Sequence, residues 1–151
     1  MPFSTKDTGE QFIVQSLADK TAYVGLYDES TDQLPDGADV PVPTEPSDGN
    51  YQGLTYSAST TPLSINQNTE GDWEVVFAEQ RFDLTNATGY VDGAFVVINY
   101  QAQDESSAND HLWFTTELTD VQGNATQVDL EGTNGLDFSA TYTVIDPSQV
   151  V

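Results

Sequence analysis

The sequence contains no cysteine, one histidine and only three Lys+Arg in 151 residues. Each shortage excludes a class of function. Without cysteine there is no disulfide framework and no thiolate zinc site, and a lone His111 cannot build a His-rich one. Three cations cannot neutralise a phosphate backbone, so a basic nucleic-acid face is excluded. No apolar run approaches the roughly 20 residues that span a bilayer. Residues 1–9 lack the apolar core of a secretory signal, so none is expected. Cofactors and metals are likewise not expected.

What is abundant is acid. Asp and Glu number 25, giving a formal net charge of −22. Few apolar residues with high net charge mark disordered chains. Here, however, aromatics make up 11%, and apolar residues come in dense runs such as Ala94-Phe-Val-Val-Ile-Asn-Tyr100. The acids are scattered (Asp28, Asp32, Asp36, Asp39) rather than blocked. At molar salt the Debye length is about 3 Å and the self-repulsion of such a surface is screened. The composition is that of a folded protein adapted to brine.

Along the chain, the spacing predicts one helix over residues 7–20. Asp7 or Thr8 caps it, Glu10 sits in its first turn, and Phe12, Ile13, Ser16 and Leu17 form an apolar stripe. From residue 21 the periodicity is that of strands. Residues 22–27 and 94–100 are apolar on both faces, and 111–115 is read as a further central strand. Residues 51–57 and 63–66 are shorter strands, the second an edge behind Pro62. Trp73, Val75 and Phe77, then Phe82 and Leu84, predict a hairpin turning at Ala78-Glu79. Residues 127–130 and 136–144 predict a second hairpin, with Asn134-Gly135 supplying positive φ. Residues 28–49 hold four of the seven prolines and two Asp-Gly pairs, the pattern of a long loop or arm. The expectation is an N-terminal helical segment over 1–20 and a β domain over 21–151. The fold class is mainly β, an antiparallel β-sandwich of jelly-roll type.

Catalytic patterns are weak. His111 needs a serine and a carboxylate converging on it, and its sequence neighbours Ser106, Ser107 and Asp110 do not guarantee that. Glu74 beside Trp73 reads as an outward acid alternating with an inward ring. The acids of residues 28–39 lack calcium-loop spacing. Asn86-Ala-Thr88 and Asn124-Ala-Thr126 match the glycosylation pattern and read as ordinary polar turns. No enzymatic activity is expected. The helix stripe and the arm are features that subunits use to grip neighbours, so Phe12, Ile13, Leu17, Pro41, Pro43 and Pro46 are the candidate interface residues.

The order of these features resembles small virion structural proteins of tailed phages and their archaeal relatives. The helix Thr8-Gly-Glu-Gln-Phe-Ile-Val-Gln-Ser-Leu17 is followed by Tyr23-Val-Gly-Leu-Tyr27. Next come Thr44-Glu-Pro-Ser-Asp-Gly-Asn-Tyr51 and Val91-Asp-Gly-Ala-Phe-Val-Val97. The family's Ala-Arg after Gly-Tyr is replaced here, since Gln52-Gly53 follows Tyr51. The resemblance covers residues 8–100. With the acidity it implies a component of a tailed virus of halophilic archaea, assembled in the host cytoplasm. The expected role is a capsid turret or decoration protein forming a homo-oligomer, a pentamer or trimer, on the major capsid protein. The alternative is a tail-associated module that binds a host-surface glycan or S-layer.

The acidic surface carries a prediction. The melting temperature falls as NaCl is lowered from molar to ~0.1 M, followed by circular dichroism; a flat profile contradicts the brine adaptation.

Overall fold

The computed structural model describes residues 7–28 and 43–144. They form one helix, α1 (Asp7–Ala18), and nine strands: β1 (Thr21–Tyr27), β2 (Leu54–Tyr56), β3 (Ser64–Gln67), β4 (Trp73–Asp83), β5 (Tyr90–Val91), β6 (Gly93–Tyr100), β7 (Asn109–Glu117), β8 (Val128–Asp129) and β9 (Gly135–Val144). The sheets run β2-β1-β6-β7, β3-β4-β9 and β5-β8. The pairs β3–β4, β5–β8 and β6–β7 are antiparallel. The molecule is therefore mainly β with one short N-terminal helix, as its periodicities predict. A jelly roll is a finer statement than these sheets make, since β1–β2, β3–β4 and β6–β7 are neighbours consecutive in the chain.

The described residues divide into two compact units, one of 7–21, 56–80 and 139–144, the other of 22–28, 43–55 and 81–138. In the first unit α1 packs on β3. The core here includes Val14, Tyr56, Val75 and Phe77. The Tyr56 and Phe77 rings meet edge-on at 5.2 Å, and the Tyr56 hydroxyl donates to the Ala78 carbonyl at 2.5 Å. In the second unit β1 and β6 are the inner strands. Ala22, Val24 and Leu26 are buried on one face of β1, and residues 93–98 of β6 are buried throughout.

Several expectations are corrected. The helix stops at Ala18, two residues before Lys20. No turn interrupts residues 73–83: β4 is one strand. Phe77 and Phe82 are five apart and so face opposite ways on a regular strand. Both are buried because β4 passes from the first unit to the second after Gln80. Residues 111–115 lie in β7, an edge strand, and are part-buried or exposed rather than central. β7 also carries a bulge. Val96 faces Phe114 and Val97 faces Leu112, so Trp113 is the extra residue. The expected hairpin of residues 127–144 does not form, because β8 pairs with β5 and β9 lies beside β4. The chain turns instead through Asp129, whose Oδ1 accepts from the Glu131 N–H at 3.0 Å. Thr133 Oγ1 donates to the Asp129 carbonyl at 2.6 Å. The positive φ falls on Gly132, at 80°, not on Asn134 or Gly135.

The core of the second unit is built by rings lying on glycines. On β1, Tyr23, Gly25 and Tyr27 share a face by the two-residue repeat. Phe95 of β6 sits between the tyrosines, its centroid 6.4 Å from Tyr23 and 6.1 Å from Tyr27. A Cβ on Gly25 would lie 2.4 Å from Phe95 Cζ, and one on Gly93 would lie 2.5 Å from the Tyr27 ring. β1 thus lends a glycine to a β6 ring, and β6 lends one to a β1 ring. Overpacking a filled core costs about 1–3 kcal/mol. Gly25→Ala and Gly93→Ala should each lose roughly that much stability in denaturant titrations at molar salt. An unchanged midpoint in both would show that the rings yield freely.

Candidate functional site

The segment resuming at residue 43 is fastened to the second unit by its polar side chains. Pro46 biases the residue before it toward extended backbone. That residue, Glu45, has its carboxylate over Gly25, where a Cβ would lie 2.6 Å from Oε1. Oε1 accepts hydrogen bonds from the Tyr23 hydroxyl at 2.7 Å and the Tyr51 hydroxyl at 2.5 Å. The Tyr51 oxygen also accepts from the Leu26 N–H at 2.9 Å. This gives the Leu26 N–H of β1 a side-chain acceptor. Tyr23 covers Gly53, whose added Cβ would fall 2.0 Å from its Cζ. Tyr51 stacks on buried Phe82 at 6.0 Å and 10°. Burial, reinforced by the Glu45 carboxylate, pushes both phenols above their ordinary value of about 10.

Two more ties follow. Asp48 accepts from the Thr88 N–H at 2.9 Å and the Thr88 hydroxyl at 2.5 Å. Those bonds hold its carboxyl below the usual range. The Asn50 N–H donates to the Thr85 carbonyl at 2.9 Å, and Asn50 Nδ2 to Asp83 Oδ2 at 3.2 Å. Bonds from Thr85 and Asn50 depress the Asp83 carboxyl too.

The residues brought together here are those of the short motifs read in the sequence. Tyr23, Gly25 and Tyr27, Glu45 and Tyr51, Gly93 and Phe95 form one contiguous cluster. Their work is packing and hydrogen bonding. Composition carries no hint that Glu45 would hold two tyrosines, because sequence distance hides contacts 22 and 6 residues apart.

The candidate interface residues are placed individually. Phe12 and Ile13 are exposed, 72% and 40% respectively. The helix buries Glu10 and Val14 instead, with Leu17 part-buried. Phe12 follows Glu10 by two residues, about 200° around the helix, and so faces away. Pro43 is buried and Pro46 part-buried within this chain. Pro41 and the rest of residues 29–42 lie outside the described residues.

His111 does not meet Asp110, whose Oδ1 accepts from Asn99 Nδ2 at 2.9 Å. Its Nε2 lies 2.7 Å from Glu105 Oε1. Its ring stacks on Tyr100 at 4.1 Å. The Ala102 N–H, Asn109 Nδ2 and the nearby imidazole hold Glu105 below the usual carboxylate range. Glu74 accepts from Asn66 Nδ2 at 2.9 Å. Asn86 and Asn124 stand on exposed turns, Asn86 at φ 63°. Among the described residues no three His, Asp or Glu side chains gather to hold a metal ion, and no helix is long and apolar enough to cross a membrane. No family model, curated protein or solved structure matches this chain.

Tyr51→Phe leaves the buried Leu26 N–H without its acceptor, and an orphaned buried donor costs about 1–3 kcal/mol. Denaturant titration should show a loss in that range. The pH dependence has a fixed sign. Both phenols are raised on folding, so their contribution is complete below pH ~10 and is lost as pH climbs above it. Melting temperatures between pH 8 and 11 should fall at the alkaline end, less steeply in Tyr51→Phe. Parallel curves would contradict the assignment.

Proposed function

We propose that this chain is a structural subunit of the particle of a tailed virus of halophilic archaea, a turret or decoration protein on the capsid surface. The observation that carries the reading is the cluster just described. The residues through which the chain resembles virion structural proteins interlock with one another, and they perform packing rather than chemistry. A subunit of this kind needs a rigid body, a surface tolerant of brine and an apolar contact for its neighbour. The ring-and-glycine core supplies the first. The net charge of −22 supplies the second, and exposed Phe12 and Ile13 the third. One repeated chain closes most readily into a cyclic oligomer, a pentamer or trimer according to the capsid axis it occupies. The reading assigns the chain no catalytic turnover.

A second reading places the chain on the tail as a host-binding module. It is favoured by the exposed rings of Tyr90 and Tyr100, 54% and 39% accessible. Loss of binding to host cells on Tyr100→Ala, with the oligomer intact, would select it.

At molar KCl the purified chain should run as a closed oligomer in light scattering. Phe12→Ser combined with Ile13→Ser should shift it to monomer without lowering the melting temperature, since both side chains are outside the core. A wild-type chain that stays monomeric and does not bind the capsid protein would overturn the subunit reading.

A further inference from the structure

In the first unit the sheet ends on β9, since the order is β3-β4-β9. The outer rim of residues 139–144 has no strand beyond it among the described residues. An open edge presents a row of N–H and C=O groups to any strand that lies alongside, and proteins guard such edges with charge, proline, bulges or short length. The other edges here are guarded. β2, β3, β5 and β8 are short, and α1 packs on β3. β7 has its bulge at Trp113 and carries Asp110 and Glu117. β9 runs from Gly135 to Val144 with neither proline nor lysine, and its residues 138–144 hold no charge. We propose that this edge pairs antiparallel with the same edge of a second copy of the chain, joining two sheets into one.

Charge favours a second copy as the occupant. Each chain carries −22. At molar salt the repulsion between two such chains is screened beyond about 3 Å, so what decides a contact is whether acids meet directly. On β9 they do not. Its one acid, Asp137, is bonded to Arg81 at 2.7 Å. Glu74 on neighbouring β4 is turned between Asn66 Nδ2 and Thr143 Oγ1, at 2.9 and 3.5 Å. A charged partner gains nothing along this strip, whereas a neutral strand of the same pattern matches it.

The apolar side of the edge is unfinished. Thr143 meets Glu74, so by the two-residue repeat Ala140, Tyr142 and Val144 share the face of Val75 and Phe77. Val75 and Phe77 are buried, while Ala140, Tyr142 and Val144 are only part-buried. A further strand extends the cover over them. Self-pairing keeps that face continuous only if even-numbered residues stand opposite even ones and odd opposite odd. A two-fold axis at Thr141 does this and leaves Asp137 beyond the paired stretch. Ala140 then faces Tyr142, Ser139 faces Thr143, and Thr141 faces its own counterpart. Hydroxyl and apolar pairs of this kind are favourable across strands, and no like charges oppose.

The contact is a two-fold, so it cannot close a ring of three or five. It acts apart from the helix contact. On a particle it would link neighbouring rings, and only that placement rests on the subunit reading. An edge contact alone belongs to the small class, below about 1,200 Å2, that associates weakly. A dilute chain without the ring contact is therefore monomeric, and the pairing shows at ~1 mM.

The test uses the full chain carrying Phe12→Ser and Ile13→Ser, which removes the ring contact, in molar KCl. The sequence has no cysteine, so Thr141→Cys introduces the sole thiol. Facing Cα atoms of an antiparallel pair stand about 4.5–5.5 Å apart, within the span of a disulfide. Under mild oxidation Thr141→Cys should give a covalent dimer about tenfold faster than Thr116→Cys, which alters an exposed threonine on guarded β7. Ser139→Cys and Thr143→Cys should cross-link when mixed and not singly. In the 15N-labelled chain without these cysteine substitutions, the amides of residues 139–143 should shift on dilution from ~1 mM to ~20 µM. Three results overturn the proposal: Thr141→Cys cross-linking no faster than the control, Ser139→Cys cross-linking to itself as readily as to Thr143→Cys, or amides of 139–143 that ignore dilution. Because this chain lacks the ring contact, none of them bears on whether the unsubstituted protein forms a closed oligomer, so the two readings fail separately.

Discussion

One carboxylate over one glycine organises the second unit. Glu45 reaches Tyr23 and Tyr51 at once because Gly25 leaves room for its oxygen beside the Phe95 ring. A polar group taken out of water must find its partners, and a filled core admits no spare atom. Here both demands meet at the same place. The Tyr51 hydroxyl is spent twice, donating to Glu45 and accepting from Leu26 N–H. The segment before β2 is thereby held to β1 through side chains.

The acids fall into two populations with different physical roles. Some are turn-formers. Asp83, Asp120 and Asp129 accept hydrogen bonds from backbone N–H groups two residues on, and Asp48 ties a distant turn through Thr88. Such bonds are short, and salt screens them little. Others, such as Glu79 and Asp104, face solvent in a chain with only three Lys+Arg. Arg81 makes the one Lys or Arg ion pair among the described residues, and it is exposed. Exposed pairs contribute little, so the fold rests on rings, glycines and carboxylate–amide bonds. The large apolar side chains left most exposed are Val121 and Phe12.

Much of the fold was legible in the residues. Two-residue alternation located most strands, because a half-buried strand must alternate and a covered one need not. The inner positions of residues 22–27 and 94–100 follow from apolar side chains on both faces. The misreadings share a cause. Phe77 and Phe82 break parity, which alone cannot distinguish a turn from one strand that changes packing partners. Residues 127–144 look like a hairpin, yet Asp129 and Thr133 turn the chain at Gly132 and send β9 beside β4. The helix stripe of Phe12, Ile13 and Leu17 is apolar, but spacing alone cannot say which arc faces inward. Glu10 and Val14 took that place.

Sequence by itself determined the mainly β class, the acidity and the shortage of cations. These depend only on composition and on the short-range period of the backbone. Tertiary structure alone decided that Tyr23, Glu45, Tyr51 and Phe95 meet and that Phe12 is left outside. Those outcomes depend on which distant segments pack together, and that is settled by volume and by the pairing of buried polar atoms in three dimensions.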